Sequence, residues 1–214
     1  MQVLLATRSA HKLEEIRAIL SDSDLPVELV GLDDLELPPL SEEEELEPWD
    51  TFEENALSKA RYFCGRSGLP TLSDDSGLAV DALDGAPGVR SKRFSPPAIA
   101  RDVEGQLRDD ANNLHLLELL KDVAEPLRTA RYVCVVAFVD ATGGGWTVRG
   151  EVEGRITTAP AGQGGFGYDP LFFVPELGGT FGESSAETKH ALSHRGRAFR
   201  AALPRLRDSV GADE

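Results

Sequence analysis

The chain is poor in cysteine, with two residues, Cys64 and Cys134, among 214. Two cysteines cannot build a disulfide framework, and neither Cys-x-x-Cys nor Cys-x-x-His occurs, so a structural zinc site lacks its ligand spacing. Cys134 lies inside Tyr132-Val-Cys-Val-Val-Ala-Phe138 and reads as a small buried hydrophobe. No apolar run reaches the roughly 18 residues of a membrane-spanning helix. Met1-Gln-Val-Leu-Leu-Ala-Thr-Arg8 has neither the basic start nor the long apolar stretch of a secretory signal, so a first strand and a cytoplasmic protein are expected. Basic residues are scarce as well, 22 against 37 acidic, for a net charge of −15. Such a surface repels nucleic acid and anionic membranes at long range, and neither is expected as a partner. A local pocket can still invert that field for a small anion. There is no internal repeat and no obvious linker, and the Thr7–Lys12 stretch is neither a Walker loop nor a Gly-x-Gly-x-x-Gly.

What is present suffices for a sizeable core: 41% of the residues are hydrophobic. At roughly 100–200 residues per domain, the length suggests one domain, or two lobes sharing a sheet. Val3–Ala6 reads as a buried strand and Thr7–Lys12 as a strand-to-helix turn. The helix that follows carries Leu13, Ile16 and Leu20 on one face. Pro26–Val30 is a second strand, and the acidic, proline-containing stretch 33–50 a loop. Thr51-Phe-Glu-Glu54 has the form of a capping box, opening a helix that ends at Gly65 or Gly68. Leu72 and Leu78–Val80 read as short strands on either side of the polar tract Ser73–Gly77. A loop is expected over 84–97 and a helix over 98–121. Arg131–Val139 and Trp146–Ile156 form a hairpin around Ala141–Gly145. A glycine-rich loop at 162–167 leads into Leu171–Val174. Helices over 185–192 and 194–207 end a single 1–207 domain, and 208–214 is expected to fray. Interleaved helices and strands predict an α/β fold on a mixed sheet.

Five stretches could carry chemistry. Thr7-Arg-Ser-Ala-His-Lys12 offers the N–H groups and positive dipole end of a helix to phosphate oxygens, with Lys12 adding charge. Ser9 could equally be an ordinary helix cap. Asp74 and Asp75 are adjacent in an extended segment, so their side chains point to opposite faces. One can face a pocket, hold Mg²⁺ or activate water, although an Asx-turn would use the same residues. Ser41-Glu-Glu-Glu-Glu-Leu-Glu47 matters only if the fold brings it to Asp75, and is otherwise a solvated loop. Gly164-Gly-Phe-Gly-Tyr-Asp-Pro170 combines close backbone approach with two flat rings and an acceptor. Lys189 and Ser193-His194-Arg195 bring cations to an acidic chain. A Ser76–His194–Asp169 triad is disfavoured, because Ser76 lacks the Gly-x-Ser-x-Gly elbow.

Together these stretches resemble the inosine/xanthosine triphosphate pyrophosphatase family. The resemblance rests on Leu4–Glu15, Thr51–Ala60, Ser73–Val80, Gly85-Ala-Pro-Gly88, Gly164–Pro170 and Lys189–Gly196, in that order along nearly the whole chain. It implies a two-lobed α/β fold on a long mixed sheet flanked by helices, with the active site in the cleft between the lobes. It implies hydrolysis of ITP, dITP and XTP between the α and β phosphates, a need for Mg²⁺, and a homodimer. By the same resemblance, Thr7, Arg8, Ser9, Ala10, His11 and Lys12 grip the triphosphate. Asp75 is the general base and a metal ligand, and Ser76 binds substrate. Phe166, Gly167, Tyr168 and Asp169 line the base and sugar, and Lys189 binds the nucleotide. His194 and Arg195 read the 6-oxo edge. Glu47, with Glu45 behind it, supplies the second metal ligand. The alternative is a Maf-type pyrophosphatase for modified pyrimidine triphosphates. The sequence departs from the family pattern at Arg8, where glycine is usual, and at Glu47-Pro-Trp-Asp50.

Overall fold

The structure, a computed structural model, describes residues 1–21, 23, 25–97 and 105–211. Seven strands form one sheet in the order β2-β1-β3-β4-β5-β6-β7. They are β1 (Gln2–Leu5), β2 (Glu28–Gly31), β3 (Thr71–Val80), β4 (Thr129–Val139), β5 (Gly145–Ile156), β6 (Phe172–Val174) and β7 (Gly179–Thr180). β1 pairs in parallel with both β2 and β3, whereas β6 pairs antiparallel with β5 and β7, so the sheet is mixed. The helices among the described residues are α1 (Ala10–Leu20), α2 (Phe52–Ser67), α3 (Gln106–Leu119), α4 (Ala186–Leu192) and α5 (His194–Gly211).

The chain divides into two compact units. The first comprises Met1–Asp75, Cys134–Gly150 and His194–Glu214, and the second Ser76–Val133 and Glu151–Ser193. In the first unit β1 is buried on both faces, as a parallel central strand must be. Val3 and Leu5 join α1 and α5 residues such as Ile16, Phe199 and Leu206 in one cluster. Leu4 and Ala6, pointing the other way, pack with Val30, Leu32 and Phe63. The four-residue apolar run at the start of the chain thus reflects two covered faces. Cys134 is fully buried in the first cluster, as its sequence context predicts.

The core of the second unit gathers Leu78, Val80, Leu116, Leu120, Tyr132, Tyr168, Phe172 and Phe181. Arg128 is 5% exposed there and donates to the carbonyls of Val123, Thr157 and Leu120 at 3.0, 3.2 and 2.8 Å. Its fork thereby ties the chain just after α3 to the end of β5.

Several expectations need correction. The polar tract 73–77 does not separate two short strands: β3 runs unbroken through it, and Ser73, Asp74 and Asp75 find partners elsewhere in the fold. Ser73 Oγ, for example, donates to the Ala56 carbonyl at 2.6 Å. The turn after β1 is only Thr7–Ser9, and Ala10, His11 and Lys12 already lie in α1. The acidic loop contains a 3₁₀ turn at Ser41–Glu45, and the 84–97 stretch another at Gly88–Arg93. The expected start of the 98–121 helix falls on 98–104, outside the described residues. α5 continues past 207 to Gly211, since Val210 still packs in the core. The rest of the expected frayed tail, 212–214, also lies outside the described residues.

Candidate active site

Two sets of side chains emerge, one in each unit. In the first, Ser9 caps α1, its hydroxyl accepting from Lys12 N at 3.4 Å, and Ser9 N donates to Thr7 Oγ1 at 3.2 Å. α1 has no acidic residue in its first turn, so its positive end is not offset locally. Ala10 and His11 are exposed on that turn. One α1 turn places Lys12 Nζ on Asp74 Oδ2 at 2.9 Å.

β3 supplies the centre. Because strand side chains alternate, Asp74 and Asp75 meet different partners. Asp74 faces Lys12 and Arg195, whose Nε is 3.5 Å away. Burial pushes its carboxyl up, but Lys12, Arg195 and Lys59 outweigh this and hold it well below the ordinary aspartate range. Asp75 accepts from Asn55 Nδ2 at 3.1 Å. Burial pushes its carboxyl up to about 6, opposed by Lys59, Lys12 and the Asn55 amide and reinforced by the nearby charge of Glu47. Two adjacent carboxyls driven apart in this way mark a division between a fixed charge and a proton acceptor.

Lys59 binds both carboxylate-bearing segments. Its Nζ donates to Glu47 Oε1 at 2.5 Å and to the Asp74 carbonyl at 2.6 Å. Burial lowers its basicity, but Glu47, Asp74 and Asp75 raise it more, so Lys59 stays an ammonium. Glu47 is pushed up by burial and then held below its ordinary value by Lys59. Arg195, at the start of α5, is 1% exposed and pairs with Glu15 and Asp74. Its guanidinium is directed into the unit, and His194 beside it is 5% exposed.

Gly150 of β5 sets how closely α5 approaches. A Cβ there would overlap Ala198 N and the His194 carbonyl, which are backbone atoms and cannot swing aside. Gly150→Ala is therefore expected to destabilise the protein by about 1–3 kcal/mol, as overpacking does. A thermal melt followed by circular dichroism checks this, and an unchanged midpoint would disprove the close approach.

In the second unit Asp169 organises the glycine-rich loop. At 2% exposure it accepts from Lys189 Nζ at 2.6 Å, Phe166 N at 2.8 Å and Tyr132 Oη at 3.3 Å. Gly165 has φ +73, and a Cβ there would overlap the Asp169 carboxylate, so glycine is required on both counts. Lys189 Nζ lies 4.4 Å from the centre of the Phe166 ring. Tyr168 is buried with its hydroxyl on the Ser91 carbonyl at 2.8 Å, which leaves the half-buried Phe166 as the loop's accessible ring. Gly167 is held from α3, its N–H by Asp109 at 2.8 Å and its carbonyl by Asn113 at 3.0 Å. Ser76, half-buried, directly follows Asp75 at the start of this unit.

The sequence profile of the Ham1 family matches residues 3–205. The chain belongs to the Ham1 family. It is 48% identical over 208 residues to a dITP/XTP pyrophosphatase of Frankia alni, covering 97% of this chain and 98% of that protein. It is 47% identical over 210 residues to a dITP/XTP pyrophosphatase of Geobacter sulfurreducens, covering 98% and 96%. Among solved structures, a HAM1 protein from Coxiella burnetii superposes with a TM-score of 0.81 at 33% identity, over 97% of this chain and 99% of that one. A nucleoside-triphosphatase / dITP/XTP pyrophosphatase from Mycobacterium abscessus gives 0.69 at 40% identity, over 95% and 100%. None of these relatives favours the Maf-type alternative.

Within this Ham1 chain, three residues at the site carry no signal that the motifs single out: Glu15, Asn55 and Lys59. Asn55 and Lys59 could have been noticed, since they lie one helical turn apart, amid the apolar positions Phe52, Ala56 and Ala60. A fully buried asparagine on such a face needs a polar partner. Glu15 gave no comparable signal, because its partner Arg195 is 180 residues away. Arg8, expected on phosphate, instead places its fork on Glu43, at 2.9 and 2.8 Å.

Among the described residues no group of three or more His, Cys, Asp or Glu converges as a metal site. The oxygen donors of Asp75 and Glu47 nevertheless suit a hard divalent cation. Mg²⁺ usually takes one or two protein carboxylates and completes its shell with phosphate oxygens and water. Burial is the main cause of the rise in Asp75, and the charge of Glu47 adds to it, which puts the two carboxylates within electrostatic reach of each other.

Proposed function

We propose that this protein hydrolyses non-standard purine nucleoside triphosphates (ITP, dITP and XTP) to the monophosphate and pyrophosphate, and so removes deaminated purines from the nucleotide pool. The observation that carries the proposal is the buried Asp75 carboxyl, raised to about 6 beside the cations Lys12 and Lys59. A carboxylate poised near neutrality accepts a proton from an attacking water, and the lysines meet the charge of a polyphosphate.

Asp75 takes the water's proton as the oxygen approaches the α phosphorus. Lys12, Lys59 and the N–H groups of the Thr7–Lys12 stretch hold the phosphate oxygens. Ser76 adds a hydroxyl contact. Asp75 and Glu47 would hold Mg²⁺, which when bound neutralises phosphate charge and polarises the P–O bonds. Phe166 stacks on the purine, with Gly167, Tyr168 and Asp169 shaping the loop beneath it and Lys189 fixed across the ring. His194 donates to a 6-oxo group, and Arg195 holds the turn that carries it. Adenine presents an amino group at that position, so a donor meets a donor and ATP is rejected. A homodimer and a cytoplasmic setting follow from the family resemblance and belong to the same proposal.

The test is a panel of ITP, dITP, XTP, GTP and ATP with and without Mg²⁺, with pyrophosphate and orthophosphate measured separately. Pyrophosphate release from ITP and XTP should exceed that from ATP by about 100-fold or more in kcat/KM, the discrimination a hydrogen-bonding site achieves. It should vanish when the cation is chelated. Intact ITP and XTP, or orthophosphate as the product, would overturn the proposal.

A further inference from the structure

We infer that Arg8 and Glu43 form a clamp that sets the position of the acidic segment 41–47, making Arg8 a positioning residue for Glu47 and not a phosphate ligand. The inference rests on the proposed role of Glu47 as a metal carboxylate. The clamp itself stands on geometry alone.

Arg8 uses its whole fork. Nε and Nη2 donate to the two Glu43 oxygens at 2.9 and 2.8 Å, and Nη1 donates to the Leu37 carbonyl at 2.7 Å. Glu43 also accepts from Arg66 Nη1 at 2.7 Å and from Leu40 N at 3.2 Å. Arg66 Nη2 reaches the Pro38 carbonyl at 2.6 Å. The Glu43 side chain is only 12% exposed, although it sits in a run of mostly exposed acids. A planar guanidinium holds both carboxylate oxygens side by side in a fixed fork while its remaining N–H meets a carbonyl, a geometry that the point charge of a lysine ammonium does not reproduce.

The connection to Glu47 runs along α2. Lys59 and Arg66 are seven residues apart, two turns on one helix face. Arg66 fixes the segment at Glu43, and Lys59 fixes it again at Glu47. Arg8 ties Glu43 to the turn that precedes α1, and α1 carries Lys12 to Asp74. The phosphate-gripping turn and the acidic segment are thus held at a fixed spacing. Glycine at position 8 could not supply this link.

The test compares Arg8→Ala, Arg8→Lys, Glu43→Gln and the Arg8→Ala/Glu43→Gln double variant. Three quantities are read: the Mg²⁺ concentration giving half-maximal pyrophosphate release from XTP, the KM for XTP at saturating Mg²⁺, and hydrogen exchange of residues 37–47 without nucleotide. Each single variant should raise the Mg²⁺ requirement about 10-fold, as loss of a group supporting a metal ligand does. Exchange over 37–47 should accelerate, and KM at saturating Mg²⁺ should stay within about two-fold of wild type. The double variant should be no worse than either single, since one interaction is removed each time. Arg8→Lys should not restore function.

If Arg8 bound phosphate, Arg8→Ala would raise KM and Glu43→Gln, by releasing Arg8, would lower it. That pair of results overturns the inference, as does unchanged exchange over 37–47. A wild-type protein that is inactive on XTP, or active without a divalent cation, defeats the proposed function or the role of Glu47. The exchange data then still decide whether the clamp exists.

Discussion

Asp75→Asn is expected to lower pyrophosphate release from XTP by about 1,000-fold or more, while raising the melting temperature of the nucleotide-free protein at pH 8. The activity loss is that of removing a general base. The stability gain follows from linkage. The folded-state value of Asp75, about 6, lies above the unfolded value of about 4. The folded state therefore binds this proton more tightly, and the residue costs stability as pH rises through that interval. At pH 8 the full cost applies, of the order of 1–3 kcal/mol for a shift of this size. Asparagine carries no charge, keeps the shape and can still accept from Asn55 Nδ2. The variant should thus melt about 2–10 °C higher at pH 8 and match the wild type near pH 4. Asp74→Asn should show the opposite sign, because Asp74 is held low by Lys12 and Arg195 and contributes stability above pH 4. Equal melting of Asp75→Asn and wild type at pH 8 would show that Asp75 carries no such cost.

That contrast explains how much of the site was legible. Two adjacent aspartates in an extended segment must face apart, so their division into different environments could be read from sequence. Which of them met the cations could not, because Lys12 lies 62 residues from Asp74 in the chain. The same limit applies to β3. A Ser-Asp-Asp-Ser-Gly tract has the composition of a turn, and only distant partners make it a buried strand. β1 and β4 were readable because burial on both faces writes continuous apolar runs. The start of α2 was readable because a capping box is local, with Thr51 Oγ1 accepting from Glu54 N at 3.2 Å. The pairing of Arg8 with Glu43 was not legible for a related reason. An arginine beside a phosphate-binding turn suggests a phosphate contact, and its partner Glu43 sits in a run whose composition reads as solvated. The loop 164–169 was recognisable by its glycines and rings, yet its support by Asp109 and Asn113 depends on packing with α3.

The largest stability loss is expected at Arg195. Its side chain is 1% exposed and faces two carboxylates that are themselves buried, Glu15 at 5% and Asp74 at 1%. Arg195→Leu fills much of the volume but leaves Glu15 without its cation and Asp74 with the lysines alone. Breaking a buried ion pair from one side costs about 3–5 kcal/mol, since a charge is stranded where water cannot reach it. For a chain of this size that is roughly 6–20 °C in melting temperature. Removing both charges is gentler: Arg195→Leu with Glu15→Gln should recover part of the loss, a coupling that single variants cannot show. Acid sensitivity gives an independent check. Asp74 is depressed in the folded state, so its contribution is present above about pH 4 and fades as pH falls below it. Without Arg195 the depression weakens, and Arg195→Leu should gain less from Asp74 at neutral pH while losing less on acidification. A residue that only reads the purine edge would behave differently, altering selectivity between ITP and ATP with the melting temperature intact. A melt of nucleotide-free Arg195→Leu that matches the wild type would therefore return Arg195 to the base and remove it from the support of Asp74.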